Sequence, residues 1–320
     1  MAKRSRTKPS TQPGTGDGTG TDAPEGAVGP RQPCPCGSGK RYKACHGGKD
    51  GGASAFVSRP FEGLPGECDI IALRELVPAA SAPLQVKDSD RTVRLCSLLP
   101  GAAPAMSRDS GEVWVGLQVQ HQFGDPSRDL AAVLQKALDA EPGVVGLTSD
   151  PGPGPRLQDL VTNETLDVTV HEGFDYWLDD VDEEDREGLA AALEQANGSI
   201  TPTRRLTSVE AAYWTDVGTK EHLRWVMPEP EDALLDALSR LHVSGADVIV
   251  PEARLVGMFR AHGLLCPVWD LPVGTGAEVL EEPAAAFKTA LDEALADTSE
   301  LTAEQRSARS GLANRQVTIR

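Results

Sequence analysis

Residues 113–138, VWVGLQVQHQFGDPSRDLAAVLQKAL, decide the reading of this chain, because the apolar period changes inside them. Val113, Val115, Leu117 and Val119 alternate with Trp114, Gln118 and Gln120, the period of two that marks a half-buried strand. Asp125-Pro126 then starts a helix, in which Leu130, Val133, Leu134, Ala137 and Leu138 recur at helical spacing and form one apolar stripe. A strand and a helix in one short run, each with a single face to bury, call for a sheet covered by helices.

The same order returns further on. A strand over His222–Met227 meets Pro228-Glu229-Pro230, Pro230 suits a first helical position, and Leu234, Leu235, Leu238 and Leu241 follow as a stripe. Two related α/β halves are conceivable from this repeat. Other expected elements are a short helix at Asp69–Leu76, strands at Val93–Leu99, Leu166–Val170, Val248–Val250 and Leu264–Leu271, and helices through Leu189–Ala196, Ala253–His262 and Phe287–Leu295. The spacing predicts an α+β body with a mixed or antiparallel sheet and packed helices. Asp150 to Pro155, an alternation of Pro and Gly, is the strongest internal breaker and puts a subdomain break near 150–156.

Outward from the body, composition divides the chain. Residues 1–30 are Gly, Thr, Pro and Ser with scattered charge, which cannot bury enough surface to fold, and are expected as a disordered basic tail. Residues 49–55 read as a flexible linker, 56–297 as the body and 298–320 as a flexible C-terminal tail. Residues 1–50 carry a balance of +5, residues 51–300 of −25 and residues 301–320 of +3. So acidic a body is repelled by nucleic acid and anionic membrane, whereas the basic N-terminal arm could contact rRNA phosphates locally, or simply visit the acidic body. No run approaches the ~20 apolar residues of a membrane span, and the N-terminus has no apolar stretch of a signal peptide. Three of the six cysteines, Cys68, Cys96 and Cys266, lie singly in apolar surroundings and are expected as buried free thiols in a reducing cytoplasm.

The remaining three cysteines carry chemistry. In Pro33-Cys34-Pro35-Cys36-Gly37-Ser38-Gly39, followed by Lys40-Arg41-Tyr42-Lys43-Ala44-Cys45-His46, a Cys-x-Cys clip precedes a Gly-Ser-Gly turn and a Cys-His pair closes the set. Cys34, Cys36, Cys45 and His46 are four donors of the kind zinc takes, from a segment too short to have an apolar core. Three thiolates and a neutral imidazole leave Zn²⁺ with a net charge of minus one, and Lys40, Arg41 and Lys43 offset it and lower the thiol pKa values. With all four positions filled by protein the metal is structural, since metal-assisted hydrolysis needs a bound water. Iron is the alternative for such a thiolate site, although the closed donor set favours zinc.

This run resembles the SEC-C motif, the metal-binding module at the end of the preprotein translocase ATPase SecA, over residues 31–48. The resemblance implies that Cys34, Cys36, Cys45 and His46 are the ligands, and that the module docks to a protein partner such as a ribosome, nascent chain or export component. Ala44 stands where a lysine is common. Nothing else of the translocase is present, because Gly39-Lys40 lacks the phosphate-loop spacing. The body, from about Phe56 to Asp297, resembles an actinobacterial family built on a domain of unknown function.

Within the body, His121, His171, His222, His242 and His262 are widely separated, with no i, i+4 ligand pair. The run His171–Glu187 holds nine acids and one arginine, including Asp179, Asp180, Asp182, Glu183, Glu184 and Asp185; it reads as a solvated loop before a helix rather than a cation site. Gly274-Thr275-Gly276 hints at a phosphate turn. Five tryptophans among so few aromatics are explained mostly by core packing, with an aromatic-lined peptide groove as the functional reading and Tyr176-Trp177 as its first candidate. Two functions follow. One is a non-enzymatic metal-binding adaptor whose SEC-C module docks the body to its partner. The other is an enzyme of unrecognised type with the module used for targeting, which requires two or more of His171, Asp175, Asp179, His222 and Asp270 to meet in a deep pocket.

Overall fold

A computed structural model describes residues 56–315, together with Gln32 and Arg41. The chain divides into two compact units, Met1–Gly51 and Gly52–Arg320, and the strands and helices of the described residues belong to the second. The expected tail over 1–30, the module over 31–48 and the linker over 49–55 lie outside the described residues, apart from Gln32 and Arg41.

The fold is α+β with two sheets. In chain order the first part comprises α1 (Glu67–Glu75), β1 (Ala80–Leu84), β2 (Val93–Cys96), β3 (Ala105–Ser107), β4 (Val113–Gly116), α2 (Pro126–Leu138), β5 (Gly143–Val145), α3 (Leu157–Leu160), β6 (Thr169–Val170) and α4 (Glu183–Asn197). The second part comprises β7 (Thr203–Arg205), β8 (Ala212–Asp216), β9 (Glu221–Trp225), α5 (Glu231–Ser244), β10 (Arg254–Ala261), β11 (Leu264–Leu271), α6 (Glu281–Ala296) and α7 (Ala303–Asn314). The first sheet is mixed, in the order β5-β3-β4-β2-β1-β6, with β2 and β4 parallel. The second is antiparallel throughout, in the order β10-β11-β9-β8-β7.

Helix α1 explains how the sheets are joined. Cys68 to Arg74 are all buried, and a helix buried on every side belongs inside a fold. Asp69 accepts two hydrogen bonds from Arg205, at 3.0 and 2.9 Å, and a third from the Tyr213 hydroxyl at 2.6 Å, so β7 and β8 are tied to one side of α1. Arg74 Nη1 donates to the carbonyl of Leu117, just past β4, on the other. Ile71, Leu73 and α2 share one core with Val113, Val115, Tyr213 and Cys266. A second core lies between the far face of the second sheet and α5, α6 and α7. A third, smaller one covers the far face of the first sheet around Trp114, Phe174 and Tyr176.

Several expectations are corrected. The segment 253–262 is not a helix but mostly strand β10, hairpinned onto β11 with Ala261 opposite Leu264. His262 and Gly263 both have positive φ, 49° and 86°, as a two-residue turn of the type matching strand twist requires. Val248–Val250 forms no strand; Ile249 and Val250 instead bury their side chains in the second core. All four residues of β4 are buried, because the Trp114 face that sequence leaves to solvent carries the third core. Residues 298–320 are not uniformly a tail: α7 closes with Leu312 1% exposed, and Arg309 Nη2 lies 2.6 Å from Asp232 on α5. The sheets part between Val170 and Thr203, downstream of the Pro-Gly breaker. That breaker leads into α3, whose Leu157 is buried in the first core.

Candidate functional site

Trp114 starts the site. Alternation along β4 sends Val113 and Val115 to the first core and Trp114 to the opposite face, where it is wholly buried. The Arg108 guanidinium lies 4.1 Å and that of Arg94 5.0 Å from its ring centroid, so two cations cover one indole. Tyr176 packs at 5.9 Å from the same ring, and Phe174 stacks on Trp177 at 4.2 Å. The Tyr176 hydroxyl and the Trp177 indole N–H both donate to the carbonyl of Leu98, at 3.3 and 3.2 Å, which pins this aromatic turn to the sheet.

Helix α4 completes the cover only in part. Leu189, Ala192, Leu193 and Ala196 form its apolar stripe, yet none of its described side chains is buried and Leu189 is 44% exposed. Between this stripe and the sheet lies a cavity of about 620 Å³, walled by Met106 of β3, Trp177, Leu178 and Val181. Pro142 and Gly143 carry its wall to the outer strand β5. A hollow of about 370 Å³ shares Pro100 and Gly101 with it and continues along Val144, Gly146 and Thr148.

One charged pair sits in the cavity wall. Arg108, 7% exposed, donates from Nη2 to the carbonyl of Trp177 at 2.8 Å and to Asp180 Oδ1, while Ser110 Oγ donates to Asp180 Oδ2 at 2.9 Å. The hydrogen bond from Arg108, and then that from Ser110, hold the Asp180 carboxyl down at about 2, against the opposing effect of burial. Arg108 Nε is buried and has no hydrogen-bond partner among the described residues.

The five residues expected to meet in an enzyme pocket fall elsewhere. His171 Nε2 lies 2.8 Å from Ser81 Oγ and its ring stacks on Tyr176 at 4.3 Å; burial, then the positive charge of Arg94, lowers its pKa. Asp175 accepts from Asn197 at 3.3 Å and Asp179 pairs with Arg94 at 3.1 Å. His222 and Asp270 do meet, Nδ1 to Oδ1 at 3.0 Å on neighbouring strands β9 and β11, with Lys220 Nζ 2.6 Å from the other carboxylate oxygen. None of these five lines the 620 Å³ cavity. The phosphate turn is occupied from within: the Glu221 carboxylate accepts from the amides of Gly274 and Gly276 and, at 2.7 Å, from the Trp214 indole. Burial would raise its pKa, but the amide of Gly276 and these other donors hold it down. Cys68, Cys96 and Cys266 are buried free thiols, their pKa values pushed up by burial. Of the expected peptide-groove pair, Trp177 lines the cavity while Tyr176 is buried beside it. Arg108 and Met106 were not anticipated; the helix through Leu189–Ala196 was expected, but only tertiary contact reveals that its apolar stripe stands clear of the sheet.

Cys34, Cys36, Cys45 and His46 lie outside the described residues. Among the described residues no group of three or more His, Cys, Asp or Glu could hold a metal ion, and no helix is long and apolar enough to cross a membrane.

Comparison with known families places both parts. The Family of unknown function (DUF5926) matches residues 60–320. The chain belongs to DUF5926. The SEC-C motif matches residues 31–48. No curated protein and no solved structure matches the chain. All the strands and helices of the two-sheet body fall inside the DUF5926 match, and so does the cavity. The four donors fall inside the SEC-C match.

Proposed function

We propose that this DUF5926 protein is a non-enzymatic, metal-binding adaptor of the cytoplasm. In this reading its SEC-C module holds a structural zinc ion and docks the acidic body to a ribosome, nascent chain or protein-export component. The observation that carries it is the coincidence of the SEC-C match with four donors at Cys34, Cys36, Cys45 and His46. The donor set fits zinc: three thiolates and one imidazole fill a tetrahedral shell and leave no position for reactive water. Arg41, beside the ligands in sequence, is exposed, which suits a basic docking face and leaves contact with rRNA phosphates open to it.

The body supports the non-enzymatic part through the use it makes of its charges. Asp69, Asp180 and Glu221 are each occupied by internal donors, which is the work of structural carboxylates. The test is affinity capture from native lysate with the wild type and with Cys45→Ser. Partners lost with the variant support docking through the metal module, and identical captures remove it.

A further inference from the structure

The geometry points to a peptide-binding groove in the body, at the cavity between α4 and the first sheet, that takes an extended segment with a large apolar side chain flanked by Lys or Arg. Three observations converge on that chemistry. First, the cavity of about 620 Å³ is apolar on both sides, with Met106 and Trp177 facing Leu189 and Leu193, and its size is that of an ordinary ligand pocket. An apolar side chain entering it completes the burial that α4 leaves undone.

Second, the backbone needed to hold an extended chain is at hand. β5 is the outer strand of the first sheet, no described strand lies along its other edge, and Val144 is 64% exposed. The 620 Å³ cavity reaches Gly143, and the 370 Å³ hollow reaches Val144 and, just past the strand, Gly146, so both border β5. A segment added there places alternate side chains in alternate hollows. Arg108, also in the cavity wall, is held over Trp114 and donates to Asp180 and to the Trp177 carbonyl, so it fixes the wall beside which the segment lies.

Third, charge selects the flanks. Asp109 lines the cavity in an exposed position, and Asp182, Glu183 and Glu184, all exposed, follow the lining residue Val181 in sequence. Residues 51–300 carry a balance of −25, so an anionic ligand is repelled and a basic segment attracted. A small apolar molecule would satisfy the first observation alone.

The test uses the full chain and a fluorescein-labelled nine-residue peptide of alternating leucine and lysine, read by anisotropy. Competitors are a serine/lysine peptide of equal charge, a leucine/glutamate peptide, and a leucine/lysine peptide with methylated backbone nitrogens. The leucine/lysine peptide is expected to bind at least tenfold more tightly than each of the three. Two variants at exposed positions of α4, Ala192→Trp, which fills the cavity, and Leu189→Gln, which makes its wall polar, are expected to weaken binding at least tenfold and threefold respectively. Unchanged melting midpoints show that both variants are folded, whereas Cys45→Ser leaves peptide binding unaltered and so separates this groove from the metal module. Equal binding of the serine/lysine peptide means attraction to surface charge only and overturns the proposal. Indifference to Ala192→Trp, or an apolar dye that fills the cavity and is not displaced by peptide, overturns it as well.

Discussion

Asp69 is an acid that apolar surroundings tolerate only because every neighbour donates to it. It is 2% exposed and receives Arg205 on both oxygens and the Tyr213 hydroxyl on one. Burial, with the Asp69 charge beside it, pushes the Tyr213 pKa well up and keeps its hydroxyl a donor. Asp69→Asn leaves the partly exposed Arg205 guanidinium with one neutral acceptor in place of a carboxylate and is expected to cost about 2 kcal/mol in urea unfolding; a loss below about 1 kcal/mol would show the triad to be dispensable. His171 gives the pH dependence. Its folded pKa is lowered, so the unfolded chain binds a proton first. Stability is therefore complete above the ordinary histidine value of about 6.5 and falls as pH drops below it toward the folded value. A His171→Gln variant should show a shallower decline over that window; His222, also lowered by burial, keeps part of the slope. None of these partnerships was legible in sequence, since Asp69 and Arg205 stand 136 positions apart.

Elements were readable where local chemistry and tertiary burial agree. The Asp125-Pro126 start of α2 is one such case: the Asp125 carboxylate accepts from the amides of Ser127 and Arg128, at 3.2 and 3.5 Å, and the stripe that follows is buried. β11 over Leu264–Leu271 likewise matches its apolar run. The strands β3 and β5 span three residues each, too short for any alternation to register, whereas β6 falls at the end of the strand expected over Leu166–Val170. β10 was misread because its turn, His262-Gly263, puts histidine at a positive φ usually taken by Asn, Asp or Gly. Gly263 itself is required: at φ 86° a Cβ would come 2.8 Å from Arg59 Cβ and 3.0 Å from the Ser58 carbonyl. Gly263→Ala is expected to destabilise by about 1–3 kcal/mol in the same unfolding assay, and a neutral result would refute the turn assignment. α7 had a legible signal, Thr302 and Gln305 forming a reciprocal capping box, but its composition is polar apart from a few residues. Its anchor is Leu312, and Leu312→Ala should lower stability by about 2–4 kcal/mol, a loss a frayed tail would not produce.

At the scale of the whole molecule, charge and chemistry are divided along the chain. A basic, cysteine-bearing N-terminal region precedes an acidic two-sheet body whose own cysteines are buried. The fold class of that body was legible because alternating and helical apolar periods occur side by side. The binding cavity was not, because it arises from the distance at which α4 stands from Trp114 and Met106, which no local pattern encodes. The metal donors were the clearest chemical signal of all, since four ligands within thirteen residues need no tertiary structure to be recognised. The most direct test is the metal content of the purified full chain, kept reduced, for the wild type and for Cys45→Ser. One zinc per chain in the wild type, and well under half of that in the variant, is the predicted result. A wild type without stoichiometric metal, or a variant that retains it in full, would contradict the metal-binding adaptor.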